Sequence, residues 1–205
     1  MNNYTSKGIN LPKTRLGLAK MNKLIDAAEE LFTKNGFHST SISDICKSAE
    51  TAVGTIYFYI ETKTDIYRYL MYKYQTKIKQ LLAESIEGCK NRYEAEREGI
   101  KCFVKFAMQT PNVYNVIWGS LSIDQKLFTD YYMSFAGSYA RALQKHSDEV
   151  DVAASTTIAY MLMGISNFVG LRAIFENMSD AEIDTLVDET IMPALRNGIF
   201  KNCEK

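Results

Sequence analysis

Residues 24–66 read LIDAAEELFTKNGFHSTSISDICKSAETAVGTIYFYIETKTDI, and the order of helix signals in this stretch decides the fold. Leu24, Ala28, Leu31 and Phe32 recur at helical spacing, and Gly36 stops that first helix. Ser41, with Asp44 three residues on, has the arrangement that satisfies orphan N–H groups at a helix start, so a second helix is expected from Ile42 to Ala49. A third is expected from about Val53 to Tyr59 after a tight turn. Helices of these lengths make a helix-turn-helix unit, whose last helix enters the major groove of double-stranded DNA. Helix N-termini and small hydroxyls bind phosphate, because an N-terminus presents free N–H groups and partial positive charge. The donors fit that use. Ser39, Thr40 and Ser41 precede the second helix, Thr51 and Thr55 flank the start of the third, and Tyr57 and Tyr59 project near its end.

Outward from this stretch the chain reads as helix after helix. It has three prolines in 205 residues and no alternating run long enough for a sheet, so the fold class is all-α. Further start signals stand at Thr62/Asp65, Ser122/Gln125 and Ser179/Glu182. Nine helices are expected, near 18–35, 42–49, 53–59, 63–88, 92–109, 112–120, 123–146, 150–176 and 180–198. Without a Gly/Ser linker, two domains would share a helix or pack tightly, and the element starting at Lys63 is the natural connector.

The quoted stretch resembles the DNA-binding domain of TetR/AcrR transcriptional regulators. The family's Ala-Ala pair, Leu-Phe, Gly-aromatic, Thr pair and Ile-Ala are matched by Ala27-Ala28, Leu31-Phe32, Gly36-Phe37, Thr40-Ser41 and Ile45-Cys46. Its Gly-Thr-Leu-Tyr-x-Tyr-Phe and following Lys are matched by residues 54–60 and Lys63. The resemblance covers roughly a quarter of the chain. It implies a DNA-binding domain over 1–62, with Lys63 on phosphate, followed by a ligand-binding and dimerisation domain over 63–205. Three departures stand out. Glu50 replaces the usual turn Gly; a side chain forced to positive φ costs on the order of 1 kcal/mol, and its carboxylate would face a polyanion. Ile60 and Cys46 replace Phe and Ala as core residues. Ala52 and Val53 leave few polar groups at the start of the third helix, which shifts base reading towards Thr51, Thr55, thymine methyls and DNA shape.

In such regulators the middle helices enclose an apolar cavity whose ligand changes the spacing of two DNA-reading heads. Aromatic residues with polar tips suit a small hydrophobic or amphipathic effector, and Phe103, Tyr114, Trp118, Tyr131, Phe135 and Phe168 are the expected lining. Arg141 or Arg172 would pair a ligand carboxylate, or else be surface ion-pair partners. The last two helices carry more apolar surface than one domain covers, with Gly164 and Gly170 allowing close approach, so a homodimer through them is expected. A twofold dimer predicts a palindromic operator. The resulting expectation is a ligand-released repressor. The alternative is a regulator without a small-molecule ligand, controlled by a protein partner.

Composition narrows the other classes. At 46% hydrophobic and 23% charged the chain is an ordinary globular one, neither disordered nor collagen-like. No export signal marks the polar, basic N-terminus, so a cytoplasmic location is expected. Cys46, Cys89, Cys102 and Cys203 show no C-x-x-C spacing, and with two histidines no metal site or cofactor is expected. No nucleophile elbow, phosphate loop or H-E-x-x-H occurs, which argues against an enzyme. Val152–Leu171 has the length of a membrane span, but five Ser, Thr and Asn residues dilute it, and a helix buried on nearly all sides is expected instead of a membrane protein.

The formal charge is zero, from 24 basic and 24 acidic residues. That neutrality hides a separation. Residues 1–25 hold Lys7, Lys13, Arg15, Lys20 and Lys23 with no acid, whereas residues 148–189 hold nine acids against Arg172 alone. A basic arm placed to approach phosphate is thus cancelled by an acidic segment far along the chain.

Overall fold

The computed structural model describes residues 8–197. Among them the regular elements are helices: α1 (Arg15–Asn35), α2 (Ile42–Ser48), α3 (Val53–Ile56), α4 (Lys63–Ser85), α5 (Arg92–Gln109), α6 (Asn112–Ile123), α7 (Gln125–Leu143), α8 (Ser155–Glu176), α9 (Asp180–Leu186) and α10 (Met192–Asn197). A π-helical turn, Val187–Ile191, joins the last two. Its wide bond from Met192 N–H to Val187 O comes just before Pro193, which has no N–H to donate and whose ring would press on a regular helical turn. Cys203 and Lys7 lie outside the described residues.

The local signals explain most boundaries. The expected capping boxes form at Ser41/Asp44 and Ser179/Glu182, and Thr62 exchanges the same bonds with Asp65 (3.1 Å each way along the backbone N–H groups). The start of α1 moves three residues earlier than expected because Thr14 caps it, its hydroxyl accepting from Gly17 N–H at 3.1 Å. Two expectations fail. Ser122 caps nothing: α6 continues through Ile123, Ser122 donates back to Gly119 O at 2.9 Å, and the Asp124 carboxylate accepts from Lys126 N–H at 2.9 Å instead. The third helix ends at Ile56, not Tyr59, and residues 57–59 form a turn.

The chain packs as two units, and α4 and α7 contribute to both. The first runs through residue 76 and includes 112–131; the second comprises 77–111 and the chain from 132 onwards. The expected boundary after residue 62 falls inside the first unit. Leu24, Ala28, Phe32, Ile45, Cys46, Ala49, Ile56 and Ile60 fill the interior of the first unit's head. Phe32, Phe37 and Tyr67 stack in a triangle with ring centroids 5.3–5.6 Å apart. Tyr67 also ties α4 to α6. Its hydroxyl donates to Val116 O at 2.7 Å, and a Cβ built on Gly119 would lie 2.7 Å from the Tyr67 hydroxyl oxygen. Only a residue without a side chain admits so close an approach.

In the second unit α5 packs along α8, and Ile100, Val104, Ala173, Ile183, Val187, Ile191 and Met192 make one core cluster. Lys101 pairs with Asp188 and Lys105 with Asp184, both at 2.7 Å, so α5 neutralises part of the acidic segment. Arg92 and Glu96, both buried, form an i,i+4 pair on α5, and Tyr139 donates to Glu96. α8 departs from its expectation of burial on all sides. By length and composition it is apolar enough to cross a membrane, yet only 28% of its apolar window is buried.

Burial pushes the Tyr67 hydroxyl up from 10.0 to about 12. The folded state therefore holds the neutral phenol where the unfolded chain has already ionised, and this contribution is present below pH 10 and lost between pH 10 and about 12. Tyr67→Phe should remove one late step from the ultraviolet tyrosine titration. It should also cost about 1 kcal/mol at neutral pH through the lost hydrogen bond, read by chemical denaturation.

Candidate nucleic-acid interface

The reading head consists of α2, its turn and α3, presented by the end of α1 and the start of α4. α1 ends at Gly36, whose φ of +81° turns the chain and leaves carbonyls to satisfy. Two side chains do so. Thr40 is buried, and its hydroxyl donates to Gly36 O at 2.9 Å and Leu31 O at 3.3 Å. Lys63 reaches back from the first residue of α4. Its ammonium donates to Phe37 O and Thr40 O, both at 2.7 Å, and lies 4.4 Å from the centre of the Phe37 ring. Both residues were expected at phosphate, but in this structure each holds the turn that positions its neighbours. Position in the sequence placed them beside the exposed hydroxyls of Ser39 and Ser41; the carbonyls of the turn draw them inward.

Ser39 and Ser41 are exposed at the start of α2. Ser41 Oγ donates to the Asp44 carboxylate at 2.6 Å and accepts from Asp44 N–H at 3.1 Å, which holds that carboxyl below its ordinary range. Ala52, Val53, Tyr57 and Phe58 are exposed on and after α3, and Thr51, Thr55 and Tyr59 are half-buried. Thr51 turns its hydroxyl to Ala49 O at 3.0 Å. Phe58, 71% exposed, was not anticipated. The signal available was its place between two tyrosines in a turn that follows a helix too short to bury all three rings.

The departure at Glu50 is real. Its φ is +50°, the left-handed region that glycine occupies without penalty. Its carboxylate does not stand alone, since Lys23 on α1 donates to it at 2.7 Å, and that hydrogen bond draws the Glu50 carboxyl below its ordinary range. One cation of the basic stretch is thereby engaged by the acid in the turn between α2 and α3.

A short strap was also unanticipated. Residue Ile9 pairs antiparallel with Ile60; Asn10 N–H donates to Tyr59 O at 2.7 Å, Asn10 Nδ2 to Phe58 O at 3.2 Å, and Glu61 N–H to Gly8 O at 3.1 Å. Gly8 sits against Asp65, where a Cβ would lie 2.4 Å from the carboxylate. The chain ahead of α1 is therefore pinned to the turn that ends the reading head.

The aromatic residues expected to line an effector site fall in both units. Tyr114 and Tyr131 are buried, and Trp118 is 39% exposed with its ring edge-on to Tyr114 at 5.7 Å. Phe103 and Phe135 are half-buried. Phe168 is 67% exposed, in line with Met161 and Phe175 along α8.

Residues 24–70 match the family model of bacterial regulatory proteins, tetR family. The likeness to the tetR family is carried by that segment. Curated relatives that match part of the chain include HTH-type transcriptional regulators. Over 79 residues the chain is 35% identical to the fatty acid metabolism regulator protein of Bacillus subtilis, which covers 38% of this chain and 39% of that protein. Over 66 residues it is 35% identical to the transcriptional regulator UidR of Escherichia coli, covering 32% of this chain and 34% of UidR. The sequence match thus spans little more than a third of these relatives. The fold is similar over a greater length to the crystal structure of the regulator FadR from Bacillus subtilis in complex with stearoyl-CoA, with a TM-score of 0.68 and 21% identity over 87% of this chain and 99% of that one.

The Lys23–Glu50 pair makes a testable point about this helix-turn-helix head. Glu50→Gln keeps the backbone and releases Lys23. Binding to a duplex from the DNA flanking its own coding sequence should tighten severalfold, and the slope of log affinity against log salt should steepen by about 0.9 for one additional phosphate contact. Fluorescence anisotropy across a salt series measures both; an unchanged slope would place this turn away from phosphate.

Proposed function

We propose that the protein is a transcriptional repressor that binds a palindromic operator as a homodimer and leaves it when a small, largely hydrophobic effector binds. The observation that carries this reading is the helix-turn-helix head itself. Ser39, Ser41, Ala52, Val53 and Tyr57 are each exposed on it, inside the segment that matches the family model. Ser39, Ser41, Thr51, Thr55 and Tyr57 contact phosphate or base edges, while Thr40 and Lys63 hold the turn from behind. Residues 1–62 read DNA, and 63–205 bind effector and partner. Phe103, Tyr114, Trp118, Tyr131 and Phe135 are the proposed effector contacts. Phe168 suits the dimer face better, because it lies in an exposed stripe. The protein works in the cytoplasm, where its operator is.

α8 and the helical stretch that begins with α9 form the subunit interface. Met161, Phe168 and Phe175, spaced seven residues apart on α8, are 60%, 67% and 79% exposed. Seven residues are nearly two full turns, so the three form one stripe. Exposed large apolar residues in a row mark an association surface, and a second α8 supplies the same stripe under twofold symmetry. An effector with a long apolar part agrees with the similarity to a fatty acid metabolism regulator and to a fold solved with stearoyl-CoA.

A mobility-shift assay with the DNA flanking its own gene tests the central claim. A specific, salt-sensitive band is expected, and its absence at every salt concentration for well-folded protein would refute operator binding. Phe168→Asp should halve the mass measured by light scattering and weaken operator binding at least tenfold, since one head alone loses the contacts of the second half-site. A dimer that survives both Phe168→Asp and Phe175→Asp would move the interface elsewhere.

A further inference from the structure

Most cations of the second unit that approach its interior have an acid beside them. Arg92 pairs with Glu96, Lys101 with Asp188, Lys105 with Asp184, and on the surface Arg172 pairs with Glu176. The last of these removes Arg172 from the two arginines that the sequence left open for a ligand carboxylate. Lys79 on α4 and Arg141 on α7 are different. Among the described residues neither has a carboxylate within ion-pair distance. Both converge instead on one neutral oxygen: Lys79 Nζ donates to Ser138 Oγ at 3.4 Å, and Arg141 Nη2 donates to the same atom at 3.2 Å. Ser138 in turn donates its own hydrogen to Ser134 O at 2.9 Å. Its oxygen therefore faces both cations with its lone pairs and is held in that orientation.

A hydroxyl is a weak partner for two like charges. Lys79 is half-buried, and its ammonium lies 5.6 Å from the centre of the Phe135 ring. Burial, and then the charge of Arg141, draw the Lys79 pKa below its ordinary value, as expected where a counter-ion is missing. Arg141 is exposed at its outer side, which leaves donors of its planar fork open to solvent.

The geometry points to Lys79 and Arg141 as a head-group site for an oxyanion, a carboxylate or a phosphate, at the end of an amphipathic effector whose apolar part runs beside Phe135. One oxyanion between the two cations accepts a point-charge hydrogen bond from Lys79 and a directional one from the guanidinium of Arg141. Ser138 is a positioning residue, because its hydrogen is already committed to Ser134. Phe135 stands one turn before Ser138 on α7, so an apolar chain meets an aromatic face next to the place where its anionic end is held. This inference deepens the effector reading above and rests on it, but the cation pair has its own measurable signature.

The test is calorimetric titration of the full chain with four probes: palmitate, palmitoyl-CoA, the neutral 1-hexadecanol and inorganic pyrophosphate. Lys79→Gln and Arg141→Gln should each weaken the anionic acyl probe at least tenfold and flatten its salt dependence, while affinity for 1-hexadecanol changes less than twofold. Lys79→Arg should restore most of the loss, and Ser138→Ala should cost less than either cation. Loss confined to palmitate identifies a carboxylate, and loss confined to palmitoyl-CoA identifies a phosphate. If no acyl probe binds the wild type but pyrophosphate does, and both variants abolish that binding, the anion site stands and the hydrophobic-effector reading falls. Equal affinities in wild type and variants for every anionic probe, or an equal loss for the neutral alcohol, would overturn the head-group site. Melting curves of the variants within a few degrees of wild type verify that each is folded.

Discussion

The reading head depends on how the end of α1 is closed. A helix that stops leaves its last carbonyls without partners, and a turn that must then start a second helix within six residues has little room to find them. Here the partners come from two directions. Thr40 closes the turn from within, and Lys63 closes it from the start of α4, its ammonium shared between Phe37 O and Thr40 O and resting on the Phe37 ring. The same lysine thus joins α1, the turn before α2 and the first residue of α4. Phe32, Phe37 and Tyr67 stack beneath it, so the polar closure and the aromatic packing reinforce each other. The orientation of α2 and α3 follows from this junction and from the strap that pairs Ile9 with Ile60.

Electrostatics in the chain is organised by local pairing more than by net charge. The excess of acid over residues 148–189 is met by Lys101 and Lys105 across from Asp188 and Asp184, and the basic stretch at the other end gives one of its lysines to Glu50. Pairs as exposed as Lys23 and Glu50 contribute little to stability. Their consequence is for the field that an approaching polyanion meets. By contrast, Lys79 and Arg141 share a neutral hydroxyl and have no carboxylate within ion-pair distance among the described residues.

Helices and caps were legible in the sequence because they rest on spacing and short-range chemistry. Ser41/Asp44 and Ser179/Glu182 form as read, and the positive φ at Glu50 follows from the tight turn that its position demands. Ser122 shows the limit of such signals, since a Ser followed by Gln at the right distance does not cap when the preceding helix runs on through it. The roles of Thr40 and Lys63 were not legible, because they depend on which carbonyls a folded turn leaves open. The bridge between Ile9 and Ile60 has no periodicity to announce it. The excess apolar surface of α8 was legible, but not which side of it stays open, because an all-round apolar helix has no periodicity that marks one face.

The contact between Tyr67 and Gly119 reaches beyond this one chain. The tyrosine hydroxyl is held by two α6 carbonyls, Val116 O at 2.7 Å and Asn115 O at 3.3 Å, so it has no freedom to withdraw from a new side chain at 119. Position 67 therefore constrains position 119. A lineage that gains a larger residue at 119 must first lose the ring or its hydroxyl at 67, and one that keeps the tyrosine keeps the glycine. Among diverging relatives a larger residue at 119, 52 residues on in sequence, should therefore occur only where position 67 no longer carries the hydroxyl.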